Sequence, residues 1–266
     1  MNWSTTFILT TRLLSLVIFV QAAEILYLFT QNDFKKIFSY QNLQQDLRRG
    51  LPLPNLVIDF LFADRQWTYI LLCQCILALS LFIAPSLSIL CIAFLIHLLV
   101  CIRFRGTFNG GSDMMTFVVL TGLILSSYFG DDPRSTKYMN LGFIYITIHL
   151  LYSYFKAGWV KIKQPDWQQG TALAHFLQRS LFQDMGRVGL WLSRQPKLGK
   201  ILCWSVCLFE LAVVGLLFFP QFAIIYFGIA FVFHFFVYLA FGLNRFFWVW
   251  TSAWPAALFT LRHLQK

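Results

Sequence analysis

What most constrains this chain is a succession of long apolar stretches, separated by polar or turn-forming connections. They cover residues 7–29, 67–84, 87–102, 113–129, 139–155, 201–219, 222–243 and 246–261. A helix needs about 20 residues to cross the hydrocarbon of a bilayer, where each backbone N–H and C=O must be bonded inside its own segment. The pattern predicts an all-α integral membrane protein, a polytopic bundle of about eight transmembrane helices, folded as a single domain over residues 1–266. Composition excludes the soluble alternatives. Hydrophobic residues make up 58% of the chain and charged residues 12%, against about 25% charged in an average soluble domain. A cytosolic enzyme, a disordered chain and a disulfide-rich secreted domain are all ruled out.

The connections add detail. The first stretch is too long for a signal-peptide core and carries Arg12 and Glu24, so it reads as a span. Residues 31–66 are polar, with an extended break at Leu51-Pro52-Leu53-Pro54 and a short apolar piece at 56–62. Pro255 should kink or end the eighth span. Residues 171–194 alternate Leu173, Phe176, Leu177, Leu181 and Phe182 with Gln178, Arg179 and Asp184, which predicts one amphipathic helix lying in the membrane interface.

The net charge is +10, and sixteen of the 21 Lys and Arg fall on one side of this topology. Arg103 and Arg105 are counted there as charges closing the third span. The positive-inside rule makes that side cytoplasmic and leaves the N-terminus outside. The expected partner of the cations is anionic lipid, with no nucleic acid. The localisation expected is a multi-pass protein of a bacterial inner membrane. The six cysteines, Cys73, Cys75, Cys91, Cys101, Cys203 and Cys207, lie in or beside apolar runs. They form no Cys-x-x-Cys pair and are read as having no nearby histidine at zinc-ligand spacing, so they are expected to be packing residues and no metal is expected.

Ionisable groups inside hydrocarbon cost several kcal/mol unless they are paired or hydrated. Arg12, Glu24, His97, His149, Glu210 and His234 all fall within spans. Each reads either as a satisfied packing residue or as part of a site. Arg12 and Glu24 are too far apart to pair within one helix. The densest unusual stretch runs from Tyr154 to Gly170. Ala157-Gly158 allows close helix approach, Trp159 and Trp167 are interface aromatics, and Pro165 ends a helix. Lys161 lies between them. It reads either as a lysine snorkelling to the interface or as a desolvated amine able to act as a base.

This segment resembles the signature of the vitamin K-dependent gamma-carboxylase-like membrane family, also called the horizontally transferred transmembrane (HTTM) domain. Tyr154, Phe155, Ala157, Gly158, Lys161, Ile162, Asp166, Trp167 and Gly170 carry the likeness. Weaker matches are Phe108-Asn109-Gly110-Gly111-Ser112-Asp113, Phe209-Glu210, and His234 with Asn244, Phe246 and Pro255. The resemblance implies a lipid quinol cofactor, either vitamin K hydroquinone or menaquinol, with Lys161 as the base that deprotonates it. It places His149, Glu210 and His234 in proton transfer or orientation, and Tyr154, Gly158, Trp159 and Asn109 in binding the quinone. In that reading His149 stands on the helix preceding Lys161 and lines the same cavity.

Two departures limit the likeness. The stretch Phe129-Gly130-Asp131-Asp132-Pro133 has no histidine where the carboxylase has one. The chain also stops at Lys266, without the carboxylase's large soluble domain. The expectation is therefore a carboxylase-epoxidase-like enzyme that performs quinol-dependent oxidation or carboxylation on a peptide or protein substrate during maturation. The competing expectation is a non-catalytic membrane subunit for assembly, immunity or export. A four-span quinone-linked protein of the DoxX type is shorter than this chain, and a transporter would show a repeat of broken helices that is not seen.

Overall fold

The computed structural model describes residues 2–104, 110–130 and 140–264, and all regular structure among them is helical. The α-helices are α1 (Trp3–Leu28), α2 (Asn32–Phe38), α3 (Tyr40–Gly50), α4 (Asn55–Phe62), α5 (Asp64–Ile83), α6 (Leu87–Phe104) and α7 (Gly110–Gly130). They continue with α8 (Leu141–Ile162), α9 (Pro165–Gln169), α10 (Ala172–Gln178), α11 (Gln183–Ser193), α12 (Pro196–Leu211), α13 (Ala223–Phe241) and α14 (Asn244–His263). Tighter 3₁₀ turns extend α12 through Leu217 and precede α13 from Pro220.

Six segments are long and apolar enough to cross a bilayer: Trp3–Leu28, Asp64–Ile83, Leu87–Phe104, Gly110–Gly130, Pro196–Leu217 and Pro220–Phe241. The other two expected spans exist as α8 and α14, of 22 and 20 residues. Their composition is more polar, through His149, Lys156 and three tyrosines in α8, and Arg245 in α14. Large apolar side chains such as Ile76, Ile83, Ile225 and Val232 face outward, so these helices are apolar on both sides, as lipid requires. Buried hydroxyls bond back along their own helices, as from Thr11 to the Phe7 carbonyl and from Thr116 to that of Ser112.

The chain divides into two compact units, Ser4–Gly142 and Met1–Trp3 with Phe143–Lys266. The core of the N-terminal unit gathers Ile25, Phe29, Leu47, Ile58, Phe62, Trp67, Leu71, Val100 and Phe104. Arg103 corrects a sequence expectation here. It is no solvated loop charge. Its side chain is fully buried and bonds the carbonyls of Phe38 and Phe62 and the Asp64 carboxylate, the last at 2.5 Å. The guanidinium lies 4.9 Å from the Trp67 ring and 5.5 Å from that of Phe29. A planar fork of five donors can satisfy these groups together and still stack on aromatics. Arg12 finds its partner on α5, where its Nε donates to the Phe82 carbonyl at 3.2 Å.

In the C-terminal unit α13 packs on α14, and α12 on α9, α10 and α11. Three expectations change. The predicted helix over 171–194 is two helices, α10 and α11. They are broken where Ser180 Oγ donates to the Ala240 carbonyl and accepts from the Phe182 N–H. Pro255 does not end α14: it lies inside a helix that continues to His263, with buried Ala253, Ala256 and Ala257 around it. The fifth span does not stop at residue 155 either. α8 runs unbroken to Ile162, so His149 and Lys161 share one helix.

Candidate functional site

α8 ends because Pro165 holds Gln164 in extended geometry, with φ −89° and ψ 129°. The Gln164 N–H closes the last turn on the Lys161 carbonyl at 2.9 Å. The chain then reverses into α9, whose Trp167 comes back to 5.4 Å from Lys161 Nζ. Gly170 completes the reversal at φ +88°, and a Cβ there would sit 2.4 Å from the Lys200 backbone. Only glycine fits both demands. This places α9 against α12, in a core of Trp167, Ala172, Cys203 and Cys207. These last two cysteines are packing residues, as the sequence suggested.

α12 carries Glu210 in its last turn, just before the helix tightens into 3₁₀ geometry at Ala212. Gly158 brings α8 onto this point. A Cβ on it would lie 3.0 Å from Glu210 Cβ, Leu211 Cγ and the Leu211 nitrogen. That close approach delivers Lys161 to Glu210, with Nζ 2.7 Å from both carboxylate oxygens. Glu210 is 5% exposed and Lys161 24%. The pair therefore has a buried carboxylate end and a partly exposed ammonium end.

Two turns earlier on α8, the buried Tyr154 hydroxyl lies 2.7 Å from His234 Nε2 of α13. Tyr226 packs 5.8 Å from Tyr154 and stacks on Phe209 at 4.9 Å. Trp250 and Trp254 of α14 stand 5.9 and 6.2 Å from the His234 ring. Glu210 is within electrostatic reach of Tyr154 and Tyr226, and Lys161 of His234. Three polar atoms of this cluster are buried with no hydrogen-bond partner: His234 Nδ1, the Tyr226 hydroxyl and Trp254 Nε1. The His234 case holds for either tautomer. If Nε2 accepts from Tyr154, Nδ1 is an unmet donor; if Nε2 donates, Nδ1 is an unmet acceptor. Each such atom costs about 1–3 kcal/mol, which a ligand could recover.

Of the residues singled out from sequence, Lys161 with Glu210 and Tyr154 with His234 are brought together, and Gly158 sits at the helix contact between α8 and α12. His149 is about 18 Å along α8 from Lys161, at 1.5 Å per residue. Its Nδ1 bonds the Tyr145 carbonyl of its own helix at 3.0 Å. Trp159 is exposed, stacks on Phe155 and lies 4.3 Å from Lys163 Nζ. Asn109 falls outside the described residues, as do Phe108 and Asp131-Asp132-Pro133. Tyr226, Trp250 and Trp254 were not singled out. In so aromatic a chain, nothing in their local sequence separates them from packing residues.

A cavity of about 240 Å³ adjoins this site through Trp167, lined by Gln164, Asp166, Ala172, His175, Phe176 and Arg179. A family model described as "HTTM domain" matches residues 126–260, a span that includes every residue of the Lys161 and His234 clusters. No curated protein and no solved structure matches the chain.

Proposed function

This chain belongs to the HTTM domain family, and from that premise we propose that its C-terminal unit is a quinol-oxidising site in which Lys161 is the base and Glu210 its proton partner. The carrying observation is the Lys161–Glu210 pair, held at 2.7 Å by a glycine contact and set beside three buried unmet polar atoms. The donor set suits a quinone head group. His234 Nδ1 and the Tyr226 hydroxyl can bond its oxygens, and Phe209, Trp250 and Trp254 supply aromatic walls. When bound, a reduced quinone such as menaquinol supplies an acidic hydroxyl and two electrons, with dioxygen as the oxidant.

The residues explain how a lysine could serve as a base here. As an ion pair, Lys161 has no lone pair to offer. Glu210 sits in the buried end of the pair, with both carboxylate oxygens 2.7 Å from Nζ. A proton passing from Nζ to a Glu210 oxygen turns the ion pair into a neutral amine and a neutral acid. Lys161 then takes the proton of a hydroxyl held beside it, and the resulting ammonium again faces Glu210. Tyr154 and His234 orient that hydroxyl's neighbour and relay a proton away. Trp167 covers the ammonium and limits water. The finer reading, that the oxidation serves carboxylation or another modification of a peptide or protein, rests on the family resemblance.

The test is quinol oxidation by the purified chain in lipid nanodiscs, followed by dioxygen uptake and quinone absorbance with menaquinol. Wild-type turnover with at least a hundredfold loss in Lys161→Ala, at unchanged helicity, is the expected result. Equal rates in wild type and Lys161→Ala would overturn the assignment.

A further inference from the structure

The N-terminal unit holds a cavity that the Lys161 chemistry does not use. Its volume is about 540 Å³, within the range of about 300–1,000 Å³ typical of small-ligand sites. Leu26 of α1 lines it, with Phe29 and Thr30 just past the end of that helix. Lys35 of α2 and Ser39 line it as well, and so do Asp64, Arg65 and Thr68 at the start of α5. Both α1 and α5 are long and apolar enough to span. The cavity therefore lies where the end of one span meets the start of another, at the level of lipid head groups.

The charge on its wall is one-sided. Asp64 is its acidic residue, and the buried Arg103 answers that charge at 2.5 Å. The Tyr40 N–H donates to the same carboxylate at 3.0 Å. Lys35 and Arg65 have no such answer. Among the described residues neither side chain makes an ion pair or a hydrogen bond. Neighbouring cations differ, since Lys36 pairs with Asp33 and Arg48 with Asp59. The wall thus carries two uncompensated positive charges. Of its three hydroxyls, those of Thr30 and Thr68 donate to the carbonyls of Tyr27 and Asp64. Ser39 Oγ caps no helix and has no partner among the described residues, so it is free to donate.

The connection around the cavity indicates which medium supplies the anion. α4 buries Ile58 and Phe62, yet leaves Leu56 84% and Phe60 66% exposed, and α2 exposes Ile37. Apolar outer faces beside cations are the pattern of helices lying at the boundary between head groups and acyl chains. We propose that this cavity binds the phosphate head group of an anionic phospholipid. Lys35 and Arg65 hold the phosphate, the lysine as a point charge and the arginine through its planar fork. Ser39 Oγ donates to a phosphate oxygen. Leu26 and Phe29 give the first carbons of the lipid an apolar wall. A choline head group carries a phosphate too, but its own ammonium cancels the charge and is repelled by the two cations. The site therefore selects lipids of net negative charge.

The experiment titrates the delipidated full chain in detergent, with bound lipid counted by native mass spectrometry. The probes are phosphatidylglycerol, phosphatidylcholine with the same acyl chains, and inorganic phosphate. Phosphatidylglycerol should add as one saturable molecule, at least about tenfold tighter than phosphatidylcholine. Inorganic phosphate at the same concentrations should not displace it. The Lys35→Gln/Arg65→Gln double variant should bind phosphatidylglycerol about thirtyfold more weakly, at unchanged helicity. Lys36→Gln/Arg49→Gln removes the same charge from outside the cavity wall and should stay within about twofold of wild type. Equal affinity for the two lipids overturns the site, and so does an equal loss in the two double variants. Displacement by inorganic phosphate overturns the lipid as occupant. Binding is the only readout, so the outcome is independent of the quinol assay.

Discussion

The Lys161–Glu210 pair predicts an asymmetric double-mutant cycle. At 2.7 Å, two unit charges attract by about 6 kcal/mol at an effective dielectric of 20. Desolvation offsets much of this, and it falls unequally. Glu210 is 5% exposed, whereas Lys161 keeps 24%. Lys161→Met strands a carboxylate in a buried site and should cost about 3 kcal/mol. Glu210→Gln leaves an ammonium that can turn toward water, and should cost only about 1 kcal/mol. The double variant removes both charges and should lie within about 1 kcal/mol of wild type, giving a coupling near 3 kcal/mol. The assay is reversible unfolding in mixed micelles, followed by circular dichroism at several denaturant fractions. A coupling below about 0.5 kcal/mol would refute the pair as an energetic unit. A Glu210→Gln variant less stable than Lys161→Met would refute the assignment of its buried end.

The remaining predictions follow from single contacts. Gly158→Ala places a methyl group 3.0 Å from the Leu211 backbone. The clash should outweigh the gain of about 1 kcal/mol in helix propensity, leaving a net loss of about 1–2 kcal/mol. The same shift in Lys161 should lower quinol oxidation more than tenfold, measured beside thermal stability. Gly170→Ala meets both a positive φ and the Lys200 backbone, and should cost at least about 2 kcal/mol in the same unfolding assay. Arg103→Met leaves Asp64 and two carbonyls without their donor and should cost about 3 kcal/mol; Arg103→Lys should rescue less than half, because one ammonium cannot span three acceptors. Asp59 tests pH dependence. Its carboxyl is held down at about 2, first by the bond from Arg48 and then by that from Tyr40. A lowered folded value means that this stabilisation is full above the ordinary carboxyl range and is lost as pH falls through about 2. Amide exchange in α3 and α4 should therefore respond to Asp59→Asn at pH 7, and the wild type should loosen there only near pH 2.

Individual residues show where sequence reading stops. The apolar stretches located the long helices because hydrophobic length is a local property. It placed α1, α5, α6 and α7 within a few residues of their ends. The break at Leu51–Pro54 and the reversal at Pro165 were also legible, since proline acts on its own dihedral and its neighbour's. Pro255 shows the limit: the same residue sits inside α14, where surrounding alanines let the helix continue. Ser180 is a similar case, because the bond that splits the predicted amphipathic helix goes to Ala240, sixty residues away. Arg103 read as a loop charge, since no local pattern reveals that the carbonyls of Phe38 and Phe62 will meet it.

The sequence by itself determined that this chain lives in lipid as a bundle of long helices, and that Lys161 stands in the segment carrying the family's pattern. Tertiary structure alone decided which polar groups meet. Gly158 and Gly170 bring Glu210 to Lys161, α13 brings His234 to Tyr154, and α1, α2 and α5 bring Lys35 and Arg65 to one cavity. The physical reason is range. Burial in lipid is a sum over neighbouring residues and can be read along the chain. An ion pair or a ligand shell depends on distances of a few ångströms between segments, and those are set only when the helices pack.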